Sequence, residues 1–295
     1  MTNDAFQPFA FNTTPSVRFE AGAARRFGEI AGPCLGRTVL FVTDPGLRAL
    51  GLCDPALASL EDAGIAVTVF DRVEAGRAAG VSGVAGFGGG SSLDVAKLTA
   101  LLIGSGEDLD AAWGVGNARG PRLPLALVPT TAGTGSEVTP VSIITVGEEE
   151  KRGVSSPLIL PDIAVLDPEL TLGLPPAITA ATGIDAMVHA IEAYASKSAN
   201  NNPLSKMLAR QALRLLGAHI ETAVFDGHDV AARGAMLLGS MLAGQAFANS
   251  PVAAVHALAY PIGGTFHVPH GLSNALVLPH VLRFNAPEAA GLYAE

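Results

Sequence analysis

The sequence predicts an α/β half followed by an all-helical half, on three observations. From residue 37 to about 174, short β-branched or apolar runs alternate with helical patterns, the signature of βαβ units and a parallel sheet. After TLGLPP (171–176) the strand signals stop and helical spacing takes over. With 295 residues the chain has room for two domains of about 100–200 residues each. The division falls near Gly173, giving domains of 1–173 and 174–295.

In order, the expected strands are TVLFVTD (38–44), IAVTVF (65–70), VSGVAGFGGG (81–90), PLALVPTT (124–131) and IAVLDP (163–168). A helix is expected over 93–103, starting just after the glycines, with Ser91 and Ser92 available to cap it. In the second half, helical spacing covers 177–194, 203–216, 230–248 and 252–259. Residues 234–282 contain no Asp, Glu, Lys or Arg, but Pro251, Pro261 and the pair Gly263-Gly264 interrupt the run, so it reads as buried core and not as a membrane span.

Composition excludes several classes of protein. Hydrophobic residues make up 49% and charged residues only 15%, which is unlike a disordered chain. The net charge of −9, without any Lys/Arg cluster, leaves no footprint for a nucleic-acid backbone. The N-terminus lacks a basic segment followed by an apolar one, and two cysteines make no disulfide framework. A cytoplasmic protein is therefore expected, with Cys34 and Cys53 as small buried hydrophobes.

Two loops carry phosphate-binding chemistry. GFGGGSSLDVAK (86–97) closes an apolar strand and opens a helix, so backbone N–H groups near the glycines and the positive helix end suit a phosphate or pyrophosphate. PTTAGTGSEVTP (129–140) also follows a strand, and in a parallel sheet both loops would face one ligand. Asp44 ends the first strand. It suits either the ribose of NAD or a cap on the turn at Pro45-Gly46.

A third pattern suggests a metal. In GIDAMVHAIEAY (183–194), Asp185 and His189 stand one helical turn apart on one face. HALAYPIGGTFHVPHG (256–271) adds His256 and His270 from the charge-free stretch. One carboxylate and three imidazoles in an aliphatic surround form a plausible shell for a divalent transition metal.

Taken together, GGGSSLDVAK, PTTAGTGSEVT, GIDAMVHAIEAY and HVPHGLSNALVLPHVLRFN resemble the iron-containing (group III) alcohol dehydrogenases. That family shares a dehydroquinate synthase-like fold, with an α/β dinucleotide-binding domain and an all-helical metal-binding domain. The resemblance implies an NAD(H)-linked alcohol dehydrogenase, or aldehyde or ketone reductase, in which hydride passes between nicotinamide and a small alcohol or carbonyl substrate. It implies metal ligands at Asp185, His189, His256 and His270, holding Fe(II), or Zn(II) or another divalent metal. It places pyrophosphate contacts on Gly89, Gly90 and Ser91, with Asp94 beside them. Thr130, Thr131 and Ser136 would line the cofactor, Asp44 would favour NAD, and Lys151 would stand near the nicotinamide ribose. A homodimer or higher homo-oligomer is also implied, with no membrane or nucleic-acid partner.

Three departures stand out. Tyr260 occupies a position where many members have a second histidine, so the proton is expected to leave through water, the ribose hydroxyls, Tyr260 or His267. Tyr260 is expected to pack among Ala257, Leu258 and Pro261. The segment DRVEAGRAAG is short for a parallel crossover. Members extend by several helices beyond the position of Glu295, so the helical domain is expected to be incomplete. The alternatives are a maleylacetate reductase-like enzyme, a dehydroquinate synthase-like lyase, or a silent metal- and NAD-binding relative. The scarcity of cationic residues in 234–282 argues against the first two.

Overall fold

A computed structural model of the chain describes residues 8–71, 80–147 and 150–295. The short 71–80 segment lies almost wholly outside the described residues. In chain order the first half contains β1 (Ser16–Phe19), α1 (Phe27–Leu35), β2 (Thr38–Val42), α2 (Pro45–Ala49), α3 (Asp54–Asp62), β3 (Ala66–Phe70), β4 (Gly83–Gly88) and α4 (Gly90–Ser105). It continues through α5 (Leu109–Ala112), β5 (Gly114–Val115), β6 (Leu125–Pro129), β7 (Val141–Val146), β8 (Glu150–Ser155) and β9 (Ile163–Leu166). The second half holds α6 (Pro176–Ala195), α7 (Pro203–Phe225), α8 (Val230–Asn249), α9 (Ala254–Phe266) and α10 (His270–Tyr293).

The main sheet has strand order β1-β9-β6-β4-β2-β3, and its pairings are all parallel. Its central strands are buried on both faces, which is why they read as continuous apolar runs. Alternation divides their side chains between two layers. Phe41, Phe87, Val128 and Val165 pack against Phe27, Leu35 and Leu60 of α1 and α3. Leu40, Val84, Leu125 and Leu127 pack against Leu93, Ala96 and Ala100 of α4.

Two features are new relative to the sequence reading. A second sheet, β5-β8-β7, pairs β7 and β8 antiparallel, so the first half is not purely parallel. The edge strand β1 pairs with β9 although all four of its residues are exposed.

Helices α6, α7 and α8 share a core that includes Ala190, Ala212, Leu216, Met236 and Ala243. Val188, Val255, Val277 and Val281 join α6, α9 and α10. Helix α7 runs nine residues beyond the expected 216 to Phe225, and α9 continues to Phe266 with Pro261 inside it. The charge-free stretch is only partly core. Helix α8 is largely buried, whereas Leu258, Phe266, Leu272 and Leu276 are exposed. The left-handed turn at His267 separates α9 from α10, each with one inward face. Cys53 is buried as expected, but Cys34 is half-buried, and both thiols are free. Among the described residues, no helix is long and apolar enough to cross a membrane.

Candidate metal centre and nucleotide cradle

The glycine-rich turn after β4 delivers the chain directly into α4. Gly89 stands at the N-cap position, and no side chain caps the helix. Ser91 and Ser92 therefore do not cap α4, contrary to expectation, and its first-turn N–H groups are left to another acceptor.

The loop after β6 packs against this turn. Gly135 has a left-handed φ of 59°, and a Cβ there would lie 2.6 Å from the Cα of Gly244, so the loop crosses α8 at a contact only glycine permits. Thr130 is buried and Thr131 half-buried, with the Thr131 side chain facing Gly89. Ser136 and Asp94 face each other. The Ser136 hydroxyl donates to Asp94 Oδ1 at 2.6 Å, and the Ile143 N–H donates to Asp94 Oδ2 at 2.9 Å. These two expected cofactor contacts thus tie the loops to one another, because a buried carboxylate needs internal partners.

The tie continues inward. Lys97 is fully buried, donates to the Val141 carbonyl at 2.7 Å and to Thr139 Oγ1 at 3.2 Å, and lies 3.6 Å from Asp94. Burial pushes the Lys97 ammonium down and the Asp94 carboxyl up. Glu137 is buried beside them with Oε1 unpartnered, and burial raises its carboxyl to about 7. Sequence reasoning missed Lys97 and Glu137, although both lie inside the two quoted motifs.

Asp44 caps α2, its Oδ1 accepting from the Leu47 N–H at 3.0 Å. The turn role is therefore present, at a strand end that also suits a ribose. Lys151 is exposed on β8, close enough to His270 for its charge to depress that imidazole.

The predicted ligands converge. Asp185 Oδ1 lies 3.7 Å from His256 Nε2 and 3.7 Å from His270 Nε2, so α6, α9 and α10 each supply one atom to a triad able to hold one cation, with Asp185 and His256 buried and His270 half-buried. A Cβ at Gly271 would strike the Ala181 carbonyl, so glycine after His270 lets the start of α10 close onto α6. His189 is not part of that triad. Its ring stacks between Phe247 at 4.3 Å and His256 at 4.5 Å, and its buried Nδ1 has no partner.

Two residues not singled out from the sequence complete the cluster. Glu192 Oε2 meets His256 Nδ1 at 2.6 Å, and the Asn274 amide donates to Asp185 Oδ1 at 2.5 Å while facing His256 Nε2 and His270 Nε2 at 3.3 Å. Glu192 could have been found, because Asp185, His189 and Glu192 fall at i, i+4 and i+7, on one face of α6.

Electrostatics divide the group. Burial alone would raise Asp185, but the surrounding imidazoles outweigh it and hold the carboxyl at about 2. Burial would lower His256, but hydrogen bonds to Asp185 and Glu192 outweigh it and raise the imidazole to about 9. Burial pushes His189 down to about 4 and lowers His270 as well.

The two candidates for proton transfer separate. His267 is exposed, ends α9 with a left-handed φ of 53°, and is not one of the clustered histidines. Tyr260 lies one turn after His256 and stacks on His270 with ring centroids 5.5 Å apart. Ala257, Leu258 and Pro261 are exposed, so the expected packing of Tyr260 among them is not observed. Helical periodicity turns Tyr260 inward with His256 and those three outward. Burial raises the Tyr260 phenol, and the charges of Asp185, Asp94 and Glu192 add to that effect.

Comparison with known proteins assigns this arrangement. Residues 14–168 match the model of iron-containing alcohol dehydrogenases, and residues 179–295 match the C-terminal model of the same family. Long-chain-alcohol dehydrogenase 1 of Geobacillus thermodenitrificans is 45% identical over 262 residues, an alignment that covers 83% of this chain and 66% of that protein. The chain thus spans just under two thirds of that relative's length. The crystal structure of a 1,3-propanediol oxidoreductase superposes with a TM-score of 0.89 at 38% identity, covering 95% of this chain and 76% of that one. Sulfoacetaldehyde reductase from Bifidobacterium kashiwanohense, solved in complex with NAD+, superposes at 0.85 with 30% identity, covering 94% and 77%. With both halves matched in sequence and their strands and helices matched in space, the chain belongs to the iron-containing alcohol dehydrogenase family.

Proposed function

We propose that the protein is a metal-dependent, NAD(H)-linked alcohol dehydrogenase or aldehyde or ketone reductase. The observation that carries this reading is the convergence of Asp185 Oδ1, His256 Nε2 and His270 Nε2, three atoms within one cation's reach. The donor set, one carboxylate and imidazoles, suits Fe(II), Zn(II) or a similar divalent ion, and the unpartnered Nδ1 of stacked His189 marks a fourth residue free to serve. A metal bound there supplies Lewis acidity toward the substrate oxygen.

The rest is done by the chain itself. The uncapped start of α4, at Gly89, Gly90 and Ser91, offers N–H groups for the pyrophosphate, with Thr130 and Thr131 opposite. Asp94 and Ser136 fix the spacing of the two loops through their own hydrogen bond. Asp44 presents a carboxylate at the end of β2 for an adenosine ribose and against a 2′-phosphate. Lys151 brings positive charge near His270, where a nicotinamide ribose would lie. Tyr260 stacks its ring on His270 and so orients that imidazole.

The reading includes a domain division at 173/174, supported by the gap between the two matched family models at 168 and 179. It includes a cytoplasmic location, supported by two unpaired thiols, and self-association, supported by the exposed edge strand β1 with Val17 and Phe19 on its surface. NADH oxidation against a panel of short and long aldehydes and keto acids, on protein loaded anaerobically with Fe(II) and separately with Zn(II), tests it. Turnover that a chelator abolishes and metal restores is the expected result. Metal-replete protein that binds NADH and turns over none of the panel contradicts it.

A further inference from the structure

We infer that Glu192 is a positioning residue that fixes which nitrogen of His256 faces the cluster, an inference that rests on the metal-centre reading above. Glu192 is 7% exposed and His256 2%, so neither has water as an alternative partner. Each carboxylate oxygen has its own N–H to satisfy. Oε1 accepts from the Val255 N–H at 2.7 Å, and Oε2 from His256 Nδ1–H at 2.6 Å. The first bond caps the start of α9, where Ala253 offers no side-chain cap, and so docks α9 onto α6.

The second bond sets the ring. With a proton held on Nδ1 by Glu192, Nε2, 3.7 Å from Asp185 Oδ1, is the nitrogen left to give up its proton to a cation. Asn274 agrees from the opposite side, because its amide N–H group faces Nε2 of both His256 and His270 at 3.3 Å. A neutral ring with its one proton on Nε2 would turn the Nδ1 lone pair onto the Glu192 carboxylate and leave a cation no free nitrogen in the cluster. The arrangement matches the general pattern in which a carboxylate behind a ligating imidazole fixes its tautomer and raises its basicity.

Replacing Glu192 by glutamine separates the two bonds. The amide side chain of the Glu192→Gln variant has one acceptor for two N–H groups. If its oxygen keeps the Val255 N–H, its amide N–H₂ faces His256 Nδ1 and favours the proton on Nε2, the atom the cluster needs free. If its oxygen turns to His256, the cap on α9 is lost. Merely structural packing would survive the change, since glutamine is isosteric with glutamate.

The test uses the 295-residue chain and Zn(II) as probe. Zn(II) affinity is measured by competition with a chromophoric chelator, for wild type and Glu192→Gln, with the melting temperature of the metal-free protein and NADH binding by fluorescence as controls. The expected result is a Zn(II) dissociation constant raised about 10–100-fold, with NADH affinity changed less than about twofold. A dissociation constant within about threefold of wild type, in folded Glu192→Gln protein, overturns the inference while leaving the metal centre intact. Wild type that binds no Zn(II) overturns both. A second measurement needs no variant: in Zn(II)-loaded, ¹⁵N-histidine-labelled wild type, the His256 Nδ1 proton is expected as a slowly exchanging, strongly downfield resonance. Zn(II) bound through Nδ1, with the proton on Nε2, contradicts the inference.

Discussion

His189 lies ring on ring against His256, their centroids 4.5 Å apart, although one belongs to α6 and the other to α9. The stack shows that the face of α6 carrying Asp185 continues into the cluster one turn later. It also makes the contributions of the histidines unequal. His256 meets Asp185 and Glu192 directly, whereas His189 is held by Phe247 on one side and His256 on the other.

His256→Ala is therefore expected to lose metal and turnover together, because it removes one atom of the triad and leaves Glu192 without its partner. NAD(H) binding is expected to stay nearly intact, since the cradle at Gly89 and Thr131 is built from β4, α4 and β6. Metal content by elemental analysis beside an NADH titration checks this, and wild-type metal content in the variant removes His256 from the centre.

Glu137 predicts a pH dependence of stability. Its carboxyl is raised to about 7 in the folded chain, by burial first, against an ordinary value near 4.5. The folded state thus favours the protonated form. The contribution is fully present below about pH 4.5, declines as pH rises, and is gone above about 7. Across that window wild type is expected to lose ~3 kcal/mol relative to Glu137→Gln, which carries no such proton. Denaturant melts of both proteins at about pH 5 and about pH 8 read the difference, and a constant gap between them rules the assignment out.

How far the sequence foresaw this structure depends on the range of the interaction. The central strands and α4 were legible because each is a local run of apolar residues bounded by glycines. Asp185 and His189 were legible because a helix places residues four apart on one face. The hairpin of β7 and β8 was not, since EKRGVS is mostly exposed or half-buried and carries no alternation of apolar residues. The bond between Asp94 and Ser136 was not legible either. Two motifs that each suit a ligand give no sign, when read separately, that their polar groups meet one another. The surroundings of Tyr260 escaped for a third reason: neighbours in the chain suggest themselves as packing partners, whereas a helix turns adjacent residues to different sides.

For Asp44, charge and capping can be separated. Asp44→Asn keeps an acceptor for the Leu47 N–H and is expected to leave stability nearly unchanged, while raising the NADP/NAD ratio of kcat/KM by removing a negative charge beside a 2′-phosphate. Asp44→Ala loses the cap as well, which costs about 1 kcal/mol. If Asp44→Asn leaves cofactor preference unchanged, the residue serves only the turn.

Tyr260→Phe is expected to retain most of kcat with an unshifted pH profile, because the stack on His270 needs the ring and not the hydroxyl. A loss of about 100-fold or more in kcat at unchanged KM would place the phenol in the proton path. Tyr260→Ala, which removes the ring, is expected to weaken metal binding through His270.

If Asp185, His256 and His270 form one metal centre, NADH-dependent reduction depends on the ion they hold. The measurement that tests it most directly is anaerobic Fe(II) titration of the metal-free wild type and of Asp185→Ala, with aldehyde-dependent NADH oxidation followed at each addition. Wild-type activity is expected to rise linearly and saturate at about one equivalent per chain, while Asp185→Ala neither retains the ion nor gains activity. Activity already maximal in metal-free wild type, or an identical titration in Asp185→Ala, would contradict it.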